Sequence, residues 1–292
     1  MLALRNWRIE QGNSLIPDDP ADGNVSRWQD SATPLNIAKI STPEGAVHRL
    51  RMNSELAVDV FPDGRLVARS DGRVAQNTLD HFLADQVIPR ILAHQGDFVC
   101  HAGAVRHGDA ALMFVGASGR GKSTLAASFS LAGHALIGDD AMVVSWSNHI
   151  PHVRSVYPSL RLFPDALAAL MPDAPTAGPI AHYSTKQRID VEVADESDLP
   201  LLPVRALFVI DAPATDGKIA ICPLSIADAC MALVESSFAL DPNDLEQAKS
   251  RLTAASRLAS AVPAFTLAFE RRFDLLPAVR QAILDAVPIN GG

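Results

Sequence analysis

Cysteine is scarce in this chain, which holds three in 292 residues. Cys100, Cys222 and Cys230 are an odd number without CxxC spacing, so they fit neither a disulfide framework nor a zinc site. We therefore expect reduced, buried thiols and a cytoplasmic location.

Long apolar runs and excess positive charge are also missing. No uninterrupted apolar stretch approaches the ~18 residues of a membrane span, and the first residues, MLALRNWRIEQ, lack the apolar segment of a secretion signal. The 25 basic residues are outnumbered by 33 acidic ones, and the net charge of -8 opposes non-specific attraction to nucleic acid or an anionic membrane. We expect neither a nucleic-acid nor a membrane partner.

The composition that remains, 48% apolar and 20% charged, is typical of a globular chain with enough apolar material for a core. The length favours about two domains. In residues 1–77, short alternating runs such as Leu56–Phe61 lie between turn-rich stretches at 17–20 and 62–64, which predicts a small strand-rich domain. Residues 78–292 alternate predicted strands and helices, the pattern of an α/β domain.

Periodicity places individual elements of the second domain. From Thr78 to Leu92 the apolar residues share one helical face, which Pro89 interrupts or kinks. A capping box at Ser225 and Asp228 predicts a short helix, and Asp241-Pro242 predicts the start of another that runs to about Val262. The remaining predictions are strands at Ala111–Val115, Ala135–Ile137, Met142–Val144, Ala206–Ile210 and Phe265–Phe269, and a helix at Leu275–Ala286.

A glycine-rich motif carries the first chemistry. Gly116–Ser123, GASGRGKS, matches GxxxxGK[ST] between a predicted strand and a predicted helix over Thr124–Leu131. Its glycines let backbone N–H groups point inward, and the N-terminus of the following helix adds positive potential at the same place. Lys122 is expected to contact the β- and γ-phosphates, and the Ser123 hydroxyl is expected to bind Mg²⁺. A turn that binds nothing is the alternative. The expected nucleotide contacts are Gly116, Ala117, Ser118, Gly119, Arg120, Gly121, Lys122, Ser123 and Thr124.

Two carboxylates follow the next predicted strand. Asp139 and Asp140 come 17 and 18 residues after Lys122, enough for a helix and a short strand. Parallel strands of a βαβ unit end at one edge of the sheet, so the pair is expected beside the terminal phosphate. One carboxylate can hold Mg²⁺ and the other can accept the proton of an attacking hydroxyl. A solvated Asp-Asp turn is the alternative.

Histidine and basic side chains are further candidates. His101 precedes a predicted hairpin around Gly108-Asp109, and this hairpin would bring His101 to the same edge of the sheet. There the imidazole can stabilise or orient reacting groups. From the residues alone, a hydrogen-bonded structural histidine is the simpler interpretation. Arg161 lies in an apolar run, where an unpaired guanidinium would be costly, so it is expected on a phosphate or an aspartate, or in a surface ion pair. Lys186 and Arg188 can form a cationic clamp, although a solvent-exposed loop explains them at least as simply.

The spacing of these groups resembles the bacterial HPr kinase/phosphorylase family and related P-loop kinases, some of them linked to lasso-peptide phosphorylation. The resemblance covers about residues 78–145 and includes His101, the GASGRGKS loop, Gly133-His134 and Asp139-Asp140, while Tyr157–Asp165 resembles a motif of the related kinases. It implies an α/β P-loop nucleotide-binding domain of the HPr kinase and phosphoenolpyruvate carboxykinase type, preceded here by the strand-rich domain.

By this resemblance the chain is an ATP- and Mg²⁺-dependent kinase that transfers the γ-phosphate to a serine of a peptide or small protein. It implies that Asp140 accepts the proton and that His101 and Lys122 are catalytic, with Ser123 a metal ligand; Asp139, the other carboxylate of the pair, is then expected at the metal and in the catalytic set. Arg161, Lys186 and Arg188 are expected at the nucleotide.

The family's magnesium-binding glutamate loop and arginine-bearing C-terminal motif have no clear counterpart, so HPr as acceptor and a reverse phosphorylase reaction are not implied. Relatives assemble into oligomers, which leaves a homo-oligomer open. Two other hypotheses stay open as well: a nucleotide-gated regulatory protein that transfers nothing, and a kinase for a small metabolite.

Overall fold

The structure is a computed structural model that describes residues 8–12, 25–29, 34–70, 72, 74–157, 160–174, 176–181, 184–189, 201–215 and 217–288. The chain divides into two compact units, Ala3–Ile91 and Leu92–Gly292. The predicted domain boundary at residue 77 stays a prediction, and the predicted turn at 17–20 lies outside the described residues.

A six-stranded sheet forms the framework of the first unit. Its strands are β1 (Arg8–Gly12), β2 (Val25–Gln29), β3 (Leu35–Thr42), β4 (Gly45–Met52), β5 (Leu56–Val60) and β6 (Arg65–Ser70). They lie in the order β1-β6-β5-β4-β3-β2, with only the β1–β6 pair parallel. One face carries the fully buried Leu50 and Val58, which are directly opposite each other on β4 and β5. This cross-strand packing is what the alternating apolar pattern predicts.

The other face of this sheet encloses a charged cluster. Arg49 on β4 is opposite Asp59 on β5 and donates to both of its carboxylate oxygens, at 2.7 and 3.1 Å. Arg69 on β6 donates to the same carboxylate. Asp59 is 2% exposed, and the two guanidinium groups take the place of water around its carboxylate.

A helix with one irregular turn follows. It consists of α1 (Gln76–Phe82), a π turn (Leu83–Val87) and α2 (Ile88–His94). The π turn ends just before Pro89, with the Ile88 N–H bonded to the Leu83 carbonyl. Because proline has no N–H and its ring crowds the carbonyl four residues earlier, a local change of helical spacing accommodates it. The predicted interruption at Pro89 is confirmed.

The second unit is a mixed α/β structure. Its strands are β7 (Phe98–Cys100), β8 (Ala102–His107), β9 (Ala110–Val115), β10 (Leu136–Gly138), β11 (Met142–Ser147), β12 (Ile150–Ser155), β13 (Leu160–Leu162), β14 (Thr176–Ala181), β15 (Ser184–Ile189), β16 (Leu202–Ile210), β17 (Ala220–Pro223) and β18 (Ala264–Ala268). Its further helices are α3 (Lys122–Leu131), α4 (Pro164–Leu170), α5 (Ile226–Glu235), α6 (Leu245–Ala261) and α7 (Leu276–Ala286), the last preceded by a 3₁₀ turn (Phe273–Leu275). The main sheet has the order β10-β8-β9-β16-β12-β11-β7. Strand β18 also pairs with β16, and β17 pairs with β18. Strands β13-β15-β14 form a separate small sheet.

Helices cover both faces of the main sheet. Met113 of β9 packs in the same cluster as Leu233 of α5, whereas its neighbour Phe114 packs with Phe129 of α3 and Ile283 of α7. A strand between two helical layers needs apolar residues on both sides, which explains the unbroken run Ala110–Val115. Each large side chain fully buried in this way stabilises the fold by about 1.5–3 kcal/mol.

Strand directions bring three chain segments to one edge of this sheet. The predicted hairpin is confirmed, because β8 and β9 pair antiparallel with His107 opposite Ala110. Strand β10 pairs antiparallel with β8, so β10 runs parallel to β9 with β8 between them. The ends of β9 and β10 and the start of β8 therefore meet, which places the segments after Val115, after Gly138 and before Ala102 side by side.

Two predictions about this unit are wrong in detail. Helix α6 begins at Leu245 and not at Pro242: the Asp241 side chain instead accepts from the Asn243 N–H in a turn, and Asp244 caps the helix by accepting from the N–H groups of residues 246 and 247. Cys222 is exposed rather than buried, because it lies on β17, which pairs on one side with β18. Within the described part of the chain, no helix is both long and apolar enough to span a membrane.

Candidate phosphate-binding and catalytic site

The glycine-rich loop lies between β9 and α3. Gly116, Gly119 and Gly121 have φ angles of 143°, 74° and 95°, in the range that favours glycine. At Gly116 a Cβ would also lie 2.9 Å from the carbonyl oxygen of Ile210 on β16, so the neighbouring strand leaves no room for a side chain. The loop curls as the motif predicts, and α3 begins within the motif, at Lys122 and not at the predicted Thr124.

The Lys122 ammonium lies inside this loop. Lys122 is 4% exposed, and its Nζ donates to the carbonyl oxygens of Gly116 at 2.7 Å and Ala117 at 3.2 Å. Burial lowers the pKa of Lys122 to about 8, against the opposing effect of Asp139 and Asp140. A buried cation next to a helix N-terminus is a combination suited to an anion.

Asp139 is fully buried behind the loop. Burial, together with the charge of Asp140, raises the pKa of Asp139 to about 7, although Lys186, Ser123 and Lys122 counteract part of this. Ser123 approaches the carboxylate, but among the described residues no donor is in hydrogen-bonding geometry with either of its oxygens. Because a buried polar group without a partner is costly, this carboxylate indicates a missing cationic partner.

Asp140 has the opposite surroundings. Its Oδ1 lies 3.3 Å from His101 Nε2 and 3.9 Å from Lys186 Nζ, and its Oδ2 accepts from Arg161 Nη1 at 3.2 Å. Burial alone would raise the pKa of Asp140, but Lys186, His101 and Arg161 hold it well below its ordinary value. Two adjacent carboxylates thus differ: Asp140 is ionised, whereas Asp139 titrates near neutral pH.

His101 is anchored by its backbone and directed by its ring. Its N–H donates to the carbonyl of Ser236, at the end of α5, over 2.7 Å, and its ring stacks on Phe238 with centroids 6.2 Å apart. The side chain is 37% exposed, with Nε2 towards Asp140. The histidine is therefore held in place and faces the carboxylate. Its part in a reaction stays a prediction.

The other two cations next to Asp140, Arg161 and Lys186, lie on the small sheet. Arg161 on β13 is 4% exposed and has its guanidinium carbon 4.9 Å from the centroid of Tyr157. Lys186 and Arg188 lie on β15, so the loop interpretation is wrong: this segment pairs with both β13 and β14. Lys186 reaches the site, whereas Arg188, opposite Arg161 in register, is exposed and is not among the described residues that line the cavity. Part of the predicted Tyr157–Asp165 motif lies outside the described residues.

A cavity of about 270 Å³ opens over the loop. His101, Arg161 and Lys186 line it together with loop residues 118–124. It is also lined by a group that the sequence analysis missed, Phe269, Arg271, Phe273 and Leu276, and Arg271 donates to the Gly119 carbonyl. A signal existed for this group: β18 runs parallel to β16, and β16 to β9, so the segment after β18 ends at the same edge as the loop.

Metal binding would depend on few protein ligands. No group of three or more His, Cys, Asp or Glu suited to a metal occurs in the part of the chain that the structure describes. The unpartnered carboxylate of Asp139 and the nearby Ser123 hydroxyl nevertheless fit Mg²⁺, which takes oxygen ligands and commonly uses one or two from protein and the rest from phosphate and water.

Comparisons with known proteins show a weak likeness to a solved structure. No protein-family model matches the chain, and no curated protein matches it. The solved structure of the Hpr(Ser) kinase/phosphatase from Coxiella burnetii matches with 13% identity and a TM-score of 0.32, over 64% of this chain and 97% of that chain. At this level of likeness, the chemistry of the site is inferred from its geometry alone.

Proposed function

We propose that this chain is an ATP-dependent kinase that transfers the γ-phosphate to a hydroxyl group. One observation carries the proposal: a curled phosphate-type loop, an unpartnered buried carboxylate and a second carboxylate with three cationic neighbours meet at one sheet edge. A serine of a peptide or small protein is the proposed acceptor, in keeping with the resemblance noted from the sequence.

The loop is proposed to hold the triphosphate. The N-terminus of α3 favours an anion there, and Lys122 would exchange the carbonyl oxygens of Gly116 and Ala117 for phosphate oxygens. An anion beside the ammonium raises its pKa, so Lys122 stays protonated when the nucleotide is bound.

Ser123 and Asp139 are the proposed ligands of Mg²⁺. The ion would supply positive charge that offsets the charge of the phosphates. Ionised Asp139 is disfavoured in the metal-free protein, because the carboxylate is buried next to Asp140. A cation at its oxygens would remove that penalty.

Asp140 is the proposed proton acceptor. His101, Arg161 and Lys186 keep it ionised and hold its oxygens in place, so it can accept a hydrogen bond from the acceptor hydroxyl and orient it for attack. A low pKa makes Asp140 a weak base, but in a loose phosphoryl-transfer transition state orientation contributes more than base strength. The same cations add positive potential where charge accumulates on the transferred group.

The test follows label from γ-labelled ATP into serine peptides, with matched Ser→Ala peptides as controls. Asp140→Asn is expected to lower turnover by about 10²–10⁴-fold and to leave ATP affinity largely intact, as for loss of a base. Lys122→Ala is expected to weaken both, because its charge contacts ground state and transition state alike.

Two results would contradict the proposal. Equal loss of ATP affinity and turnover in Asp140→Asn would assign Asp140 to nucleotide binding. Tight ATP binding without label transfer to any hydroxyl would instead support a nucleotide-gated regulatory protein.

A further inference from the structure

We propose that the apolar part of the cavity, formed by Ala166, Phe269, Phe273 and Leu276 with Phe163 at its rim, is the subsite for the nucleobase. The inference rests on the proposed function, since it assigns a place to the rest of the nucleotide whose phosphates the loop would hold. All five residues line the same cavity as loop residues 118–124.

Exposed aromatic rings are the first observation. Among the described residues, the large apolar side chains that are exposed include two aromatic ones, Phe163 at 45% and Phe273 at 37%. Both line this cavity, whereas Phe114, Phe129 and Phe208 are fully buried in the core. A nucleobase is a flat ligand that stacks on such a ring and removes its apolar face from water.

The other apolar residues that line the subsite are packed in the core. Phe269 and Leu276 are 6% and 3% exposed and belong to the core cluster that also contains Leu125 and Phe129 of α3. Ala166 is buried in the cluster between α4 and the small sheet. A subsite with a packed floor binds a flat ligand without ordering new side chains, which lowers the entropic cost of binding.

The subsite is contiguous with the phosphate loop. Arg271 donates to the Gly119 carbonyl and thereby ties the segment between Phe269 and Phe273 to the loop. A base is joined covalently to its phosphates, so its subsite must adjoin the loop in this way. Phe163, by contrast, has the Lys186 ammonium 5.4 Å from its ring centroid, so its replacement would also disturb the contacts of Asp140. Phe273 is therefore the cleaner residue to test.

The experiment compares two ligands that share phosphates and differ in the base: ATP and inorganic tripolyphosphate, each titrated with Mg²⁺ into the full chain by calorimetry. Phe273→Ala is expected to raise the Kd for ATP by about 10- to 100-fold, the effect of losing one base–aromatic stack. The Kd for tripolyphosphate is expected to stay within about twofold, because the loop is untouched. Phe273→Trp is expected to retain ATP affinity.

Controls keep the result interpretable. Leu252→Ala truncates another exposed apolar side chain, on α6, which is 50% exposed and not part of the cavity lining, and is expected to change neither Kd. If the alanine variant does not fold, Phe273→Leu replaces it in the test, because leucine keeps an apolar contact but has no ring. This variant is expected to bind ATP about tenfold more weakly and tripolyphosphate as wild type does.

Three results would overturn the inference. The first is equal weakening of ATP and tripolyphosphate in the Phe273 variants, which would mean that the ring acts through the loop. The second is wild-type protein that binds tripolyphosphate as tightly as ATP, since the base would then add nothing. Binding of neither ligand would overturn the proposed function itself, and the inference with it.

Discussion

Each unit of the chain buries a carboxylate among cations, and in the second unit the adjacent carboxylate also lacks a hydrogen-bond partner among the described residues. In the first unit Asp59 receives hydrogen bonds from Arg49 and Arg69 on neighbouring strands, and the cluster is complete. In the second unit Asp140 is surrounded in a similar way, yet the adjacent Asp139 has no hydrogen-bond partner within the described part of the chain.

The difference separates a structural cluster from a functional one. A complete buried ion cluster holds strands in register, and its cost is already balanced within the fold. An incomplete one is tolerated only where something else completes it, and in proteins such sites concentrate where ligands bind. We therefore assign Asp59 to the stability of the fold and, under the proposed function, Asp139 to the chemistry, which predicts opposite responses to the same substitution.

The largest expected effect is at Asp59. Asp59→Asn removes the negative charge between two guanidinium groups and is expected to destabilise the protein by about 3–5 kcal/mol, because breaking a buried pair leaves charge that is not compensated. Denaturant unfolding of the full chain measures this. The matched control is Asp63→Asn, whose carboxylate is 65% exposed and 3.8 Å from Arg65, with an expected change of at most about 1 kcal/mol. Equal effects in the two variants would mean that the Asp59 cluster is not structural.

The next effect is at Asp139 and has the opposite sign. Burial raises the pKa of Asp139 from 3.8 to about 7, so folding favours the protonated form. Its contribution to stability is full below pH 3.8 and is lost as the pH rises through about 7. Asp139→Asn is therefore expected to be more stable than wild type at pH 8, by about 1–3 kcal/mol, and by clearly less at pH 5.

Thermal unfolding of the metal-free protein at both pH values measures the Asp139 effect, with kinase activity expected to be lost in the same variant. A variant less stable than wild type at pH 8 would show that the carboxylate is already satisfied without a metal, and the contrast with Asp59 would disappear.

The smallest expected effect concerns Arg271, and it tests whether this residue contributes to nucleotide binding. Arg271→Ala removes the hydrogen bond to the Gly119 carbonyl and is expected to raise the KM for ATP about tenfold, the value of one hydrogen bond from a charged donor. The matched control is Arg106→Ala, since Arg106 is exposed and donates to the Gly108 carbonyl in a hairpin turn, at 2.8 Å. Equal KM values for the two variants would remove Arg271 from the site.

Much of the second unit's framework could be predicted from the sequence. Buried strands such as Ala110–Val115 and the hairpin around Gly108 follow from apolar runs and turn chemistry, which act between neighbours in the chain. The start of α6 was wrongly predicted at Asp241-Pro242, because Asp244 caps the helix three residues later. Either aspartate is a suitable N-cap residue, so the sequence does not distinguish them.

The candidate site was predictable only in part. The loop and the two aspartates are marked by spacing along one βαβ connection, and Arg161 by its apolar surroundings. The sequence did not show that β15 is a strand, since apolar and polar residues alternate only weakly around Lys186. The strand is stabilised by pairing with β13 on one side and β14 on the other. Arg271 was missed because two consecutive arginines carry no motif; only the direction of β18 indicates where they lie.

What the sequence determined by itself is the local chemistry: a loop whose glycines permit positive φ, a lysine at the start of a helix, and two carboxylates after a short strand. These depend on residues a few positions apart, whose conformations are limited by sterics and hydrogen bonding. Only the tertiary structure decided that three cations contact Asp140 while Asp139 has no hydrogen-bond partner among the described residues, because Arg161 and Lys186 come from a separate small sheet. The two neighbours in sequence differ in charge state because of what the fold packs around each of them.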